Sequence, residues 1–192
     1  MFLPAIIDTF TRPALHGTHK TMKAGTKLHA LLKEVRACRL CEEPLSTGPR
    51  PVLRVSTTAQ LLIVGQAPGR RVHESGLPFN DPSGDRLRDW LGLDRDTFYD
   101  ERRVAILPMG FCYPRTGKSG DQPPRPEWAE AWREKLLEHL GTVELTLAIG
   151  QYAINWHLAE HVEKTLTETV RAWCDHWPAV RELVQAIVAT PG

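Results

Sequence analysis

The feature that most limits the folds open to this chain is a short aliphatic run, Leu61–Val64, that ends at the turn Gly65–Gly69. In a parallel sheet buried on both faces, a strand reads as a continuous apolar run rather than an alternating one. The glycines and the proline of the turn let the backbone bend sharply and approach a ligand closely. The run therefore predicts a buried parallel strand, followed by a loop in the position where α/β folds usually bind ligands.

Two further aliphatic runs have the same character, and helical patterns lie between and after them. Residues 104–107 and 145–150 predict two more buried strands. Apolar spacing predicts helices at residues 27–38, 86–91, 127–140, 151–161, 166–174 and 178–189, with Ser83 or Asp85 near the N-cap of the second. Residues 42–58 and 113–127 have the composition of loops. Because strands alternate with helices, we expect an α/β fold with a parallel sheet.

The length of 192 residues suits one domain, since such a chain can bury about 70% of its unfolded surface. We place that domain at residues 23–192 and expect residues 1–22, which carry little pattern, to be an extended or disordered N-terminal segment. A hydrophobic share of 42% and a charged share of 24% are typical of soluble globular proteins. The formal net charge of +1 does not indicate nucleic-acid binding, although a binding groove needs only local basicity.

The sequence also argues against a membrane protein. No apolar stretch approaches the roughly 20 residues that span a bilayer. The first eight residues lack a basic region and contain Pro4 and Asp8, so they make a poor signal peptide. We therefore expect a cytoplasmic protein without a membrane partner.

A second informative segment, Gly76–Arg88, carries the aromatic Phe79 before a turn rich in Asp, Pro, Ser and Gly. Together with the loop Gly65–Gly69, it resembles the active-site motif and base-stacking segment of the uracil-DNA glycosylase superfamily. The likeness is closest to the family 4 branch, whose first motif reads Gly-Glu-Ala-Pro-Gly, and covers roughly residues 28–175. It implies a three-layer α/β/α fold around a mainly parallel four-stranded sheet. It also implies a monomeric enzyme that hydrolyses the N-glycosidic bond of uracil or a related damaged base flipped out of DNA.

The resemblance assigns catalytic and base-binding roles. Gln66 stands where that branch has its catalytic Glu; an amide can orient water or bind a base carbonyl, but it cannot accept water's proton as a carboxylate does. Asp81, His73 and Glu74 are the nearby candidates to replace the carboxylate, unless they are solvated loop residues. Phe79 would stack the base, worth about 1–3 kcal/mol, unless it only fills the core. The expected substrate-binding set is Gly65, Ala67, Pro68, Gly69, Phe79, Ser83 and Gly84.

Basic residues flank this predicted pocket. Arg70 and Arg71 follow the first loop directly, and Arg115 and Lys118 lie in the later loop. Such residues bind the DNA backbone through its phosphates, and we expect these four to do so. A charged surface loop without a ligand is the alternative for the later pair.

Two elements of the family are missing. The Asn that reads the edge of uracil would fall near Pro108, but residues 107–110 contain no Asn. The closing His-Pro-Ser loop would follow residues 173–178, and the chain has no His-Pro dipeptide. These departures support an alternative function, that of a catalytically impaired relative acting as a nucleic-acid-binding or structural module.

The cysteines raise the question of a cofactor. In the resembling branch, a Cys pair and two later Cys residues hold a [4Fe–4S] cluster; Cys38, Cys41 and Cys112 match three positions, and the fourth falls on Trp128. Four thiolates normally hold such a cluster, and Cys174 lies far along the chain. We expect no cofactor, with the thiols packing as small apolar groups. A cluster with an incomplete ligand set is the alternative.

A short pattern of two histidines and a glutamate favours a different class of enzyme. Residues 157–161 read His-Leu-Ala-Glu-His, the spacing of inverted zinc peptidases, and His157 and His161 would share one helix face. The pattern is short, so a solvated helix end with two ordinary histidines is the preferred interpretation. A zinc peptidase is the third function considered.

Overall fold

The computed structural model describes residues 5–8, 21–40, 48–117, 120–124, 127, 129–158 and 166–189. The strands are β1 (Ala5–Asp8), β2 (Leu61–Val64), β3 (Val104–Ile106), β4 (Thr116–Gly117), β5 (Gly120–Asp121) and β6 (Leu145–Ile149). The helices are α1 (Thr21–Arg36), α2 (Arg70–Ser75), α3 (Pro82–Leu91), α4 (Arg95–Tyr99), α5 (Glu134–Leu137), α6 (Gln151–Leu158) and α7 (Leu166–Ala189). A π-helical turn, Ala129–Arg133, leads into α5.

The main sheet has the strand order β1-β6-β2-β3. Strands β6, β2 and β3 are parallel, with Leu61 opposite both Leu145 and Val104, whereas β1 pairs with β6 in the antiparallel sense. The expectation of a mainly parallel four-stranded sheet is thus confirmed. Its fourth strand comes from Ala5–Asp8, within the segment 1–22 that we expect to be extended or disordered and outside the domain.

Helices cover both faces of the sheet, because successive residues of each strand point to opposite sides. Leu61 and Ile63 pack with α3 and with the second half of α7, whereas Leu62 and Val64 pack with α1 and α6. Fully burying an aliphatic side chain contributes about 1.5–3 kcal/mol, so these continuous runs account for the location of the core. The three-layer α/β/α architecture is confirmed.

Several helix boundaries differ from the predictions. The predicted helices at 166–174 and 178–189 form one helix, α7, with Pro178 inside it. Proline removes one backbone donor, and burial of Val180 and Val184 against the sheet offsets that loss. Helices α2 and α4 have six and five residues, too few to show a helical period. Among the described helices, none has the length and apolar character needed to cross a bilayer.

Candidate active site

The loop Gly65–Gly69 lies at the carboxyl edge of the sheet, where the segments after the three parallel strands meet. The N–H of Met109 donates to the carbonyl of Gly65 at 2.8 Å, and the N–H of Gly110 donates to that of Gln66 at 2.9 Å. The amide oxygen of Gln66 lies 3.5 Å from the point that a β-carbon on Gly150 would occupy. Gln66 therefore sits between the ends of β2, β3 and β6, and its side chain is partly accessible.

The ring of Phe79 lies against Gly65. A β-carbon on Gly65 would lie 3.0 Å from Phe79 Cζ, so glycine lets the ring come this close without being displaced. Beneath, the ring meets Phe98 edge-to-face with centroids 6.2 Å apart. Phe79 is half-buried, so it seals the core and still presents aromatic surface beside the first loop. The predicted loop and the predicted aromatic are thus neighbours.

Two side chains hold the backbone of this aromatic, whose φ of 54° is unusual for a residue with a side chain. Arg88 Nη1 donates to the carbonyl of Phe79 and to the Tyr99 hydroxyl, both at 3.2 Å. The Tyr99 hydroxyl in turn donates to the carbonyl of Pro78 at 2.9 Å. Burial raises the pKa of Tyr99, which keeps the phenol protonated as a donor. No sequence pattern pointed to Arg88 or Tyr99, because each bonds a backbone carbonyl distant in sequence, 9 and 21 residues away respectively.

Asp81, Ser83 and Gly84 form the first turn of α3. Asp81 is its N-cap: Oδ1 accepts from the Gly84 N–H at 2.9 Å and from Ser83 Oγ at 2.5 Å. Ser83 and Asp85, which we expect near the N-cap, lie two and four residues after it. A β-carbon on Gly84 would lie 1.8 Å from the Phe79 carbonyl oxygen, so glycine is needed for α3 to pack on that backbone. These contacts give Asp81, Ser83 and Gly84 structural roles in the first turn of α3. Catalysis by Asp81 and substrate binding by Ser83 and Gly84 stay predictions.

Helix α2 presents the basic residues and His73 beside the loop. Arg70 and Arg71 are exposed at its start. The ring of His73 lies 5.9 Å from that of Tyr113, centroid to centroid. Arg50, which the sequence did not single out, donates to the carbonyls of His73 and Glu74 at 2.6 and 2.7 Å and so caps the end of the helix.

A small hairpin places an unanticipated carboxylate at the same edge. Strands β4 and β5 pair Thr116 with Asp121, and Thr116 Oγ1 donates to Asp121 Oδ1 at 2.9 Å. The Tyr113 hydroxyl lies 2.5 Å from Thr116 Oγ1; since the threonine proton points to Asp121, tyrosine is the donor. Asp121 Oδ2 lies 3.7 Å from where a β-carbon on Gly69 would be. Arg115 is exposed just before the hairpin, and Lys118 lies outside the described residues.

Behind the site, a fully buried arginine holds the segment after β3. Arg133 donates to the carbonyls of Leu107 and Pro108 at 3.1 and 3.0 Å, and Nη2 lies 2.6 Å from His157 Nε2. Burial lowers the pKa of Arg133 to about 9, so it stays cationic at neutral pH. Burial and the Arg133 charge lower the pKa of His157 to about 3, which makes its Nε2 the acceptor.

The same contact bears on the zinc-peptidase interpretation. A histidine nitrogen that accepts from a buried arginine is not available to a cation, and the adjacent positive charge would repel zinc. His161 lies outside the described residues. Among those described, no three His, Cys, Asp or Glu side chains are grouped as metal ligands.

The cysteines do not assemble a four-thiolate site in the described part of the chain. Cys38 accepts from Trp132 Nε1 at 3.4 Å, and Cys112 is buried. Cys41 and the side chain of Cys174 lie outside the described residues. The expectation of no cofactor, and the alternative of a cluster with an incomplete ligand set, both stay predictions.

The sheet, the glycine-rich loop at its carboxyl edge and the aromatic beside that loop are those of a DNA glycosylase-like α/β protein. Residues 54–191 match the family model described as the Uracil DNA glycosylase superfamily. The match covers more than half of the chain, so the protein belongs to this superfamily, whose members act on DNA. The family prediction is confirmed, and the branch within it stays a prediction.

Proposed function

We propose that this protein is a DNA glycosylase that hydrolyses the N-glycosidic bond of uracil, or of a related damaged base, after the nucleotide flips out of the duplex. The observation that carries the proposal is the placement of Phe79 against Gly65, at the carboxyl edge of β2. A flipped base needs an aromatic face to replace the stacking it loses. The partly accessible ring of Phe79 supplies that face next to a loop that lies outside any helix.

Within this pocket, Gln66 orients the attacking water or binds a carbonyl of the base. Its amide can donate and accept hydrogen bonds, and it lies at the meeting point of the three parallel strands. Ala67, Pro68 and Gly69 complete the wall of the pocket. In the reaction, the bond between C1′ and the base nitrogen breaks, its electron pair leaves with the base, and water oxygen bonds to C1′. The products are the free base and an abasic site.

The exposed Arg70, Arg71 and Arg115 contact the backbone of the DNA on either side of the flipped nucleotide. All three lie beside the first loop or at the base of the hairpin that approaches it. Phosphate contacts of this kind position the duplex without reading its sequence. They give the protein a local basic face despite its net charge of +1.

A binding module that has lost catalysis is the second candidate. Two observations favour it: the first loop carries Gln66 instead of a carboxylate, and the segment 107–110 offers no Asn to read the base. That segment is nonetheless anchored by Arg133 through two backbone carbonyls. A rigid site serves binding as well as chemistry, so the two candidate functions differ in whether the protein cleaves uracil-containing DNA.

The test is a single-turnover assay on end-labelled single- and double-stranded DNA with one uracil, scored as alkali-labile abasic sites. We expect cleavage by the wild type. Phe79→Ala should reduce the rate by roughly five- to 150-fold, the equivalent of about 1–3 kcal/mol of lost stacking. Gln66→Ala should also slow it. Leu183→Ala, on an exposed face of α7, is the control and should leave the rate unchanged.

Two results would change the conclusion. DNA binding by fluorescence anisotropy without cleavage, at large enzyme excess, would favour the binding module. Equal cleavage by the wild type and Phe79→Ala would show that the base does not stack on this ring.

A further inference from the structure

The carboxylate missing from the first loop has a spatial substitute. We propose that Asp121 is a catalytic residue: its Oδ2 accepts the proton of the attacking water and faces the cation that develops at C1′. This inference rests on the proposed glycosylase function. The inference depends on how closely Asp121 approaches Gly69. Asp121 Oδ2 lies 3.7 Å from the point that a β-carbon on Gly69 would occupy, so a negative charge lies at the pocket loop.

The hairpin holds this carboxylate in one orientation. Thr116 lies directly opposite Asp121 across the β4–β5 pair and donates to Oδ1, which leaves Oδ2 on the side of the loop. The Tyr113 hydroxyl donates to Thr116, and Tyr113 is only 3% exposed. A chain of hydrogen bonds therefore runs from the core to the carboxylate. Catalytic groups held in this way need little reorganisation during the reaction.

Two other carboxylates near the pocket are engaged elsewhere. Asp81 accepts two hydrogen bonds as the N-cap of α3, and Asp85 pairs with the buried Arg88 at 2.5 Å. Asp121 is exposed, and its described partner is a neutral hydroxyl, which leaves its charge uncompensated by that contact. Asp121 is thus a carboxylate that lies against the pocket loop at Gly69 and keeps one oxygen free of the Thr116 contact.

The balanced step is as follows. The C1′–N bond breaks, and its electrons stay on the base as an anion while the sugar becomes an oxocarbenium ion next to the carboxylate. Water oxygen then bonds to C1′, and one water proton moves to Asp121 Oδ2. That proton passes to the departing base, which restores the carboxylate. A carboxylate base of this kind contributes about 10²–10⁴ in rate. Thr116 acts through Asp121 and is a positioning residue.

The test is Asp121→Asn, which keeps an acceptor for Thr116 and removes the base. We expect the single-turnover rate on uracil-containing DNA to fall at least about a hundredfold, with unchanged DNA affinity by anisotropy and an unchanged thermal midpoint. Asp96→Asn, exposed in α4, is the matched control and should retain full activity.

A second variant separates chemistry from structure. Formate added to Asp121→Ala should restore part of the rate, because a small carboxylate can enter the space left behind; it should not restore Phe79→Ala. Wild-type cleavage with an equally active Asp121→Asn would overturn the assignment of Asp121 and leave the proposed function standing. Absence of wild-type cleavage would overturn both. Loss of DNA affinity in Asp121→Asn, without formate rescue of Asp121→Ala, would show that the hairpin only shapes the site.

Discussion

At the scale of single residues, the pairing of a buried arginine with a histidine makes stability depend on pH. Burial and the charge of Arg133 hold the pKa of folded His157 at about 3, against an ordinary value of 6.5. The unfolded chain therefore binds more protons between these values than the folded protein does. Stability from this site is complete above about pH 6.5 and is lost as the pH falls toward 3.

We expect the His157→Gln variant to lose less stability than the wild type between pH 7 and pH 5. Glutamine offers Arg133 an acceptor but takes up no proton, so its free energy of unfolding lacks this contribution. Urea unfolding at the two pH values measures the difference. His29→Gln, on the exposed side of α1, is the control and should follow the wild type. An identical pH dependence in His157→Gln would mean that folding does not change the pKa of His157.

At the scale of secondary-structure elements, the first turn of α3 allows the structural and catalytic roles of Asp81 to be separated. Its Oδ1 caps the helix, and the helix packs on the backbone of Phe79. Asp81→Ala should lower the free energy of unfolding by about 0.5–2 kcal/mol, whereas Asp81→Asn keeps an oxygen acceptor and should cost less. We expect Asp81→Asn to retain cleavage within a few-fold. A hundredfold loss with a normal thermal midpoint would instead make Asp81 catalytic.

The elements that could be predicted from sequence are those whose signal is local. The strands at 61–64, 104–106 and 145–149 were foreseeable because burial on both faces requires continuous apolar residues. Strand β1 was not, since its four residues are defined only by pairing with β6. Pro178 predicts a helix break, and only the packing of the residues after it shows why α7 continues.

The residues of the candidate site also fall into two groups, those that could be predicted from the sequence and those that could not. The loop Gly65–Gly69 and Phe79 lie 10 residues apart or more and could be predicted as neighbours through the family resemblance. Asp121 and Arg133 come from segments with no recognisable motif. Their relevance depends on long-range contacts with Gly69 and Leu107 that no local pattern encodes.

At the scale of the whole molecule, the proposed DNA-binding face should be visible in the salt dependence of binding. Each phosphate contact on duplex DNA contributes about −0.9 to the slope of log affinity against log salt concentration. Replacing Arg70 and Arg71 with Ala should make that slope shallower by up to about 1.8. Fluorescence anisotropy over a salt series measures it. Arg102→Ala is the control, because Arg102 is exposed before β3, at the opposite end of that strand, and pairs with Asp100. An unchanged slope in the double variant would exclude these phosphate contacts.

The order of strands also has a consequence for how the chain folds. Ala5 lies opposite Ile149 in the register of β1 and β6, so this pairing closes a loop that contains most of the chain. Strand β2 can pair with β3 much sooner, because that loop is far shorter. Closing a longer loop costs more entropy, and contacts between distant residues slow folding. We therefore expect β1 to pair with β6 late in folding, although β1 is synthesised first. The main sheet is complete only when these two strands, which lie far apart in sequence, have paired.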